Sequence, residues 1–167
     1  FNDKYLEIKG GQELEGKINI SGAKNSALVL MAASILSRGQ INLFNVPRIS
    51  DVLIMSKILT AMGMTIRSNS NHLTISSEQI SLPSQESLFD LFNALRGSFF
   101  CIGPLLARFG KAKIPLPGGC LIGARPVDFH LAALKKLGMN YEIKDGYIIA
   151  KSNGRLKGKI VRFPKIS

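Results

Sequence analysis

The chain has 167 residues, of which 46 % are hydrophobic, and its 22 Lys and Arg against 11 Asp and Glu give a formal net charge of +11 at pH 7. This composition provides a sizeable core and excludes general disorder, while the positive excess suits an anionic partner such as a phosphate ester or a nucleic acid. The apolar runs are too short for a membrane span of roughly 20 residues. Two Cys are too few for a disulfide framework and fit a reducing, cytoplasmic compartment. Neither Cys lies in a metal-ligand motif such as C-x-x-C, which argues against a protein-ligated metal.

The first half of the chain predicts a leading strand followed by a helix, a strand, a helix and two strands. The expected elements are a strand at 17–20, a helix at 26–37, a strand at 41–44, a helix at 50–62 and strands at 65–67 and 73–76. Ser50 has the residue type of a helix N-cap, and Gly63 is expected to end the second helix. Residues 69–71 have the composition of a turn between the last two strands.

The second half predicts the same order of elements. The expected elements are a long helix at 88–109, a strand at 113–116, a helix that begins at Pro126 and ends at Gly138, and strands at 141–144 and 147–151. Pro104 is expected to break or bend the long helix, because proline disrupts a helix interior. Asp145 and Gly146 form a hairpin signal between the last two strands.

The two halves resemble each other in amino-acid sequence as well as in the order of their predicted elements. Residues 58–64 match 133–139 and residues 34–39 match 104–110, so the repeat distance is about 70 to 75 residues. Coincidence among apolar helices is the alternative, and the shared order of elements argues against it. The chain therefore predicts an α/β fold of repeated small units (helix–strand–helix–strand–strand), lying roughly at 15–80 and 85–160.

The ends of the chain indicate a fragment. The first residue is Phe1 rather than Met, and the chain stops directly after a strand-like run at 159–163. We therefore expect these residues to be a piece of a longer protein.

The segment from residue 20 to residue 27 is the first that could carry chemistry. Gly22 permits an unusual turn between a strand and a helix, and Lys24 adds a full charge where the helix presents free N–H groups. This arrangement predicts a phosphate or carboxylate site, although the P-loop pattern is absent. An ordinary helix start with a solvated lysine is the alternative.

A long loop rich in Gly and Pro, residues 115–130, has Cys120 at its centre. Arg125 and two lysines lie nearby in sequence, and positive charge favours a thiolate, so Cys120 is a candidate reactive thiol. The alternative is a structural cysteine in a turn. Cys101 has apolar neighbours and is expected to be buried. Arg96 interrupts another apolar stretch, where it is either a solvated arginine or a buried one that needs an anionic or carbonyl partner.

Together these segments resemble the enolpyruvyl transferase family, and within it the enzymes that act on UDP-N-acetylglucosamine. The matching text lies at residues 21–26, 95–98, 103–110, 117–130 and 154–158, with the loop around Cys120 as its most specific part. The resemblance implies an inside-out α/β barrel: each of two domains contains three copies of the unit around a pseudo-threefold axis. The chain would be most of one domain, with the third unit and the second domain lying outside it.

The resemblance also implies a reaction, in which the enolpyruvyl group of phosphoenolpyruvate moves to the 3′-hydroxyl of UDP-N-acetylglucosamine and phosphate is released. This is the first committed step of peptidoglycan synthesis. Cys120 would be the general acid that protonates C3 of phosphoenolpyruvate, and the thiol alkylated by fosfomycin; Lys24 and Arg125 would hold its phosphate and carboxylate. The further implied substrate-binding residues are Asn25, Arg96, Pro126, Val127, Asp128, Phe129, Lys165, Ile166 and Ser167.

Neither a metal nor an organic cofactor is implied, and the expected partners are the two substrates and the second domain rather than nucleic acid or a membrane. Gly97 departs mildly from the family, in which Ala is frequent at this position. The second domain normally supplies an Asp that acts on the sugar hydroxyl and further Arg residues, so we expect the 167 residues alone to be inactive.

Two other functions stay open from the sequence. The sibling enzyme that acts on 3-phosphoshikimate shares the fold and the donor, but the Gly-Gly-Cys loop argues against it because that sibling uses no catalytic Cys. A nucleic-acid-binding or phosphate-binding module fits the charge of +11, but the aromatic residues are not interleaved with basic ones as such modules require.

Overall fold

The computed structural model describes residues 7–82, 89–117 and 126–164. Its first unit contains α1 (Lys24–Ala33), β1 (Gln40–Leu43), α2 (Ser50–Ala61), β2 (Thr65–Asn69) and β3 (His72–Ser76). A 3-10 turn, Ser34–Leu36, extends α1. β3 lies in the centre of a three-stranded sheet and pairs antiparallel with both β1 and β2.

The second unit repeats this arrangement. It contains α3 (Phe89–Ala94), a 3-10 helix (Arg96–Cys101), α4 (Ile102–Phe109), β4 (Lys111–Pro115), α5 (Asp128–Lys136), β5 (Met139–Lys144) and β6 (Tyr147–Ser152). β6 is the central strand and pairs antiparallel with β4 and β5, so the two sheets have the same strand order. The predicted fold class, an α/β fold of repeated small units, is confirmed.

Equivalent serine-to-glycine hydrogen bonds lie at the ends of the two central strands. The amide and hydroxyl of Ser77 both donate to the carbonyl oxygen of Gly39, each at 3.4 Å. The amide and hydroxyl of Ser152 donate to the carbonyl oxygen of Gly110 at 2.8 and 3.4 Å. The repeat therefore extends from the element order down to individual hydrogen bonds.

Glycines end two of the helices, as the sequence predicts. Gly63 follows α2 with φ +88°, and a Cβ there would lie 2.6 Å from the carbonyl oxygen of Gln79. Gly138 follows α5 with φ +109°. The hairpin turn between β5 and β6 is also confirmed, because Asp145 and Gly146 have φ values of 50° and 77°, the pattern of a type I′ turn.

One hydrophobic core runs through both units. The inner faces of the sheets pack against the helices, and large side chains from both halves are fully buried: Met31, Ile35, Met55, Ile58, Leu59, Met62, Met64, Ile75, Leu105, Leu106, Ile114 and Met139. Burial of such side chains supplies the main favourable free energy of folding. The two units are therefore packed as one body in the described ranges.

A polar contact also joins the units. The guanidinium of Arg108, in α4, donates to the carbonyl oxygens of Ile35 at 2.7 Å, of Ser77 at 2.9 Å and of Ser37. All three acceptors belong to the first unit. Arg108 therefore satisfies backbone groups at the end of α1 and of β3, where helix and strand ladders have ended.

The predicted strand at 17–20 is wrong, and the strand-like run at 159–163 forms no strand either. Residues 17–20 form no strand in the described ranges, and Ile18 and Ile20 are 86 % and 80 % exposed. Both runs have the composition of a strand, but an isolated strand leaves its backbone groups without the ladder that defines a sheet.

The predicted long helix at 88–109 is also wrong in one respect. The described part of it breaks at Leu95, which has extended backbone angles (φ −134°, ψ 107°), and continues as a 3-10 helix and α4. Pro104 lies inside the first turn of α4, a position at which a helix tolerates proline. Ser50 is the first residue of α2 rather than a cap, and no side chain caps that helix; α5 begins two residues after Pro126.

None of the helices in the described ranges has the length and apolar character that a bilayer span requires.

Candidate functional site

The loop before α1 is held in place by a close backbone contact. The amide of Gly22 donates to the carbonyl oxygen of Asn45 at 3.1 Å, and a Cβ on Gly22 would lie 2.1 Å from that oxygen. Asn45 itself has a positive φ of 55°, and its side-chain amide donates to the carbonyl of Ile20 at 3.5 Å. This clamp sets where α1 begins and where its N-terminus points.

Lys24 is the first residue of α1, and it is paired with a carboxylate. Its Nζ lies 2.8 Å from Oδ2 of Asp51, in the first turn of α2. A cation at a helix N-terminus is unfavourable, whereas an anion in the first turn is favourable, so Asp51 offsets the positive ends of both helices. The Lys24 side chain is 52 % exposed and that of Asp51 is 28 % exposed, so the pair lies at the surface of a cleft.

That cleft has a volume of about 320 Å³. It brings together four predicted site residues from three parts of the chain: Lys24, Asn25, Arg96 and Val127. The other lining residues are Leu28, Asp51, Leu95, Gly97, Phe99, Phe100 and His130. The prediction that the segments around Lys24 and Arg96 act together is consistent with this geometry.

The electrostatics of the cleft favour an anionic ligand. Lys24 and Arg96 each carry a full positive charge, and the free N–H groups of α1 add a partial one. Among the described residues that line the cleft, Asp51 is the one carboxylate. An ammonium and a guanidinium are strong donors to phosphate and carboxylate oxygens, but Asp51 already pairs with Lys24, so the charged groups among the described lining residues sum to +1 and favour one anionic group.

Three predicted residues lie beside this cleft rather than in it. Phe129 lines an adjacent apolar cavity of about 430 Å³ and its ring centroid is 5.9 Å from that of Phe163. Pro126 and Asp128 are exposed at the start of α5. The geometry therefore separates an apolar region around Phe129 from the charged region around Lys24.

The remaining predicted site residues, which are Cys120, Arg125, Lys165, Ile166 and Ser167, lie outside the described residues. Cys101 is described, and its predicted burial is confirmed: it is fully buried, and burial raises the pKa of its thiol to about 12. In the described ranges, no group of three or more His, Cys, Asp and Glu is arranged to hold a metal ion.

Sequence reasoning missed two residues of the cleft. Asp51 follows Ser50 at a helix start, so its residue type was explained by the helix alone, and nothing local links it to Lys24. His130 lines both cavities and its ring meets that of Phe99 edge-on at 5.4 Å. His130 is the last residue of the segment 117–130, which carries the family resemblance, and its place in that segment was the available signal.

Comparison with known proteins gives a consistent set of relatives. The family model described as EPSP synthase (3-phosphoshikimate 1-carboxyvinyltransferase) matches residues 8–165. The chain is 52 % identical over 161 residues to UDP-N-acetylglucosamine 1-carboxyvinyltransferase 2 of Prochlorococcus marinus, covering 95 % of the chain and 38 % of the relative. It is 46 % identical over 163 residues to UDP-N-acetylglucosamine 1-carboxyvinyltransferase of Campylobacter fetus, covering 98 % and 38 %.

The chain thus spans about two fifths of the length of the curated relatives it matches. Among solved structures, it is similar to the enolpyruvyl transferase NikO from Streptomyces tendae, with a TM-score of 0.72 and 23 % identity over 89 % of the chain and 32 % of that protein. This structural likeness supports the fold.

Proposed function

The chain belongs to the EPSP synthase family, whose model spans residues 8–165, and on this basis we propose that the complete protein is a UDP-N-acetylglucosamine 1-carboxyvinyltransferase. The acceptor is taken from relatives of that name, which are 52 % and 46 % identical to this chain. Its reaction moves the enolpyruvyl group of phosphoenolpyruvate to the 3′-hydroxyl of UDP-N-acetylglucosamine and releases phosphate. The product is the first dedicated precursor of peptidoglycan.

The observation that carries this proposal is the cleft that joins Lys24, Asn25 and Arg96. Both substrates are anionic, and a wall with Arg96, with Lys24 held by Asp51, and with a helix N-terminus is suited to them. In the proposed arrangement Lys24 and Arg125 hold the phosphate and carboxylate of phosphoenolpyruvate. Cations fixed before the substrate arrives stabilise charge that shifts in the transition state.

Cys120 is the proposed general acid. Its thiol gives a proton to C3 of phosphoenolpyruvate while the sugar oxygen, having lost its own proton to a base, forms a bond to C2. The resulting tetrahedral intermediate then loses a proton from C3 and phosphate from C2, which restores the double bond. A thiol with an ordinary pKa of about 8.5 to 9 is a suitable donor near neutral pH, and a reducing cytoplasm would keep it in the thiol form.

The UDP-sugar is proposed to lie along the other side of the same cleft. Asn25, Arg96 and Val127 line that cleft and would contact the sugar and diphosphate. Asp128 and Phe129 begin α5 beside it, after Pro126, and would extend the contact. Residues 165–167 are proposed to contact the uridine or the diphosphate.

We propose that these residues are most of one domain. The two units at roughly 15–80 and 85–160 would be completed by a third unit, and a second domain would face the cleft. The relatives are long enough to contain both, because the chain covers only 38 % of their length. The base that acts on the sugar hydroxyl would come from that second domain, so the 167 residues alone are expected to be inactive.

Phosphate release from phosphoenolpyruvate tests the proposal in the complete protein. We expect release with UDP-N-acetylglucosamine and none with 3-phosphoshikimate, which is the acceptor in the family model's own description. Fosfomycin should abolish release in the wild type by alkylating Cys120, and Cys120→Ala should lose turnover. Release with 3-phosphoshikimate alone would establish the sibling activity instead, and release by the isolated 167 residues would contradict the proposed domain division.

A further inference from the structure

The outer faces of the two sheets are equivalent in the fold but differ in charge. Side chains alternate between the two faces of a strand, and the residues that face away from the core in β4, β5 and β6 include four lysines and one glutamate: Lys111, Lys113, Lys144, Lys151 and Glu142. In the described part of the first sheet, the equivalent face has Arg67 as its one Lys, Arg, Asp or Glu. The fold therefore does not require lysines at these positions.

Two of the lysines face each other directly. Lys111 and Lys151 are partners across β4 and β6. The amide of Ser152 donates to the carbonyl oxygen of Gly110 at 2.8 Å, so the adjacent Lys111–Lys151 pair is a non-hydrogen-bonded pair, in which side chains lie closest. Like charges in this arrangement lower stability, and the equivalent pair in the first sheet is uncharged. A bound anion would remove this repulsion.

The same lysines line a cavity of about 290 Å³. Its walls contain three lysines together with apolar residues, which include Leu82, Leu105 and Ile149. None of the described residues that line it is acidic. It shares no lining residue with the cleft around Lys24 and Arg96, so the chain has a second concave region with positive charge.

The three ammonium groups of the cavity differ in their surroundings. Lys111 and Lys151 are exposed, and neither ammonium has an ion pair or hydrogen bond with a described residue. Lys113 is half-buried, and its Nζ lies 4.4 Å from the centroid of the Tyr147 ring, an attraction that holds the cation in place. Glu142 is on β5, which β6 separates from β4, and it does not line the cavity.

We propose that this cavity binds a small organic phosphate or diphosphate. Lysine is a compact point charge that suits a tetrahedral phosphate, whereas the fork of arginine is the better match for a planar carboxylate. Ligand cavities commonly measure about 300–1,000 Å³, so this one fits a small ligand, whose organic part would contact Leu82, Leu105 and Ile149. An extended polyanion would instead contact all four lysines of the face, including Lys144.

Isothermal titration of the complete protein with pyrophosphate, at constant ionic strength, tests the proposal. A Lys24→Met background weakens binding in the other cleft. In that background, Lys111→Gln and Lys151→Gln should each raise the Kd for pyrophosphate at least fivefold, because each removes a charge-assisted hydrogen bond. Lys144→Gln is the matched control: it removes the same charge from the same face but outside the cavity, and it should change Kd less than twofold.

Thermal unfolding gives a second measurement in the same Lys24→Met background. Without phosphate, Lys151→Gln should raise Tm by on the order of 1 °C, because it removes the repulsion with Lys111. Pyrophosphate should raise Tm when Lys151 is present and have little effect when Gln replaces it. Neither measurement depends on transferase activity, so failure of the proposed function would leave both unchanged.

Three outcomes would overturn the proposal. Equal weakening by Lys144→Gln and Lys151→Gln would show a diffuse attraction without a site. Absence of pyrophosphate binding in the Lys24→Met protein would show that the anion binds only in the other cleft. Binding of RNA or of vesicles with anionic lipids, lost in Lys151→Gln and unaccompanied by pyrophosphate binding, would assign these lysines to an extended polyanion.

Discussion

The carbonyl oxygen of Asn45 occupies the space that a side chain on Gly22 would need. The two residues are joined by an amide–carbonyl hydrogen bond of 3.1 Å, and a Cβ at Gly22 would lie 2.1 Å from the accepting oxygen. Because the atom it would meet is backbone, rotation of a side chain cannot relieve the clash. The position of Lys24, two residues later, thus depends on a glycine.

Replacement of Gly22 by Ala should therefore displace the start of α1. We expect a loss of about 2 kcal/mol or more in the free energy of unfolding, and a transferase activity of the complete protein reduced at least tenfold. Urea unfolding and steady-state kinetics measure the two effects. Gly39→Ala is the matched control, because nothing lies within 4 Å of a Cβ at that position. Equal behaviour of the two variants would contradict the clamp.

Asp51 should act through Lys24, from which it lies 2.8 Å away. Asp51→Asn removes the charge that holds the ammonium and preserves the size of the side chain. In the complete protein we expect kcat/KM for phosphoenolpyruvate to fall roughly tenfold, because the cation is no longer fixed before the substrate binds. Asp51→Glu should recover part of this loss.

The control for Asp51 is Asp90, which also lies in the first turn of a helix. Both Asn variants lose the favourable interaction of a carboxylate with a helix N-terminus, about 0.3–1 kcal/mol each. If Asp51 serves only its helix, the kinetics of the two variants should be alike. In a Lys24→Met background, Asp51→Asn should have little further effect on kcat/KM, since the partner is already gone.

The two cysteines should differ in reactivity. Burial raises the pKa of Cys101 to about 12, so iodoacetamide should leave it unmodified in the native protein between pH 7 and 9. Peptide mapping should find the label on Cys120. Because the unfolded thiol ionises near its ordinary value of 9.0 and the folded one does not, the stabilising contribution of Cys101 is complete below pH 9 and falls as the pH rises towards 12. Label on Cys101 in the folded state would contradict its burial.

Gly97→Ala should be tolerated. A Cβ at this position would lie 2.9 Å from Cδ1 of Leu28, which is the end of a flexible side chain and can rotate away. Moving Leu28 lowers stability, whereas replacing glycine raises stability by reducing the conformational entropy of the unfolded chain. Because the two effects oppose each other, we expect the free energy of unfolding to change by less than about 1 kcal/mol. Gly97→Val, with more volume against Leu28, should cost more. A large loss for the Ala variant would show that Leu28 cannot move.

Local pattern was sufficient for most of the fold. Apolar spacing placed α2, and Gly63 and Asp145–Gly146 placed a helix end and a turn, because these features depend on a few neighbouring residues. The break at Leu95 was misassigned to Pro104, since a proline signals disruption whether or not it lies in a first turn. The prediction of a strand at 17–20 was wrong for a different reason. A strand needs a neighbouring strand to pair with, and the composition of the run does not show whether there is one.

Part of the candidate site was also predictable from local sequence. Lys24 and Arg96 were recognisable because a cation at a helix start and an arginine in an apolar stretch are locally unusual. Asp51 was not, since an acid in a first turn is ordinary and its pairing depends on how α1 and α2 pack. Arg108 lies in the matching segment at 103–110, but its role between the units had no signal, because its partners are backbone carbonyls and any residue type provides them.

The use of backbone carbonyls as acceptors affects how the sequence of such a protein can diverge. The acceptors of Arg108 are main-chain oxygens, which every amino acid provides, so Ile35, Ser37 and Ser77 can be replaced without removing the contact. A single donor can therefore keep this contact between two neighbouring units while the side chains at the acceptor positions change. Tandem copies joined in this way are free to drift apart in sequence and acquire separate duties, one supplying Lys24 and another a long glycine-rich loop, while their geometry is inherited.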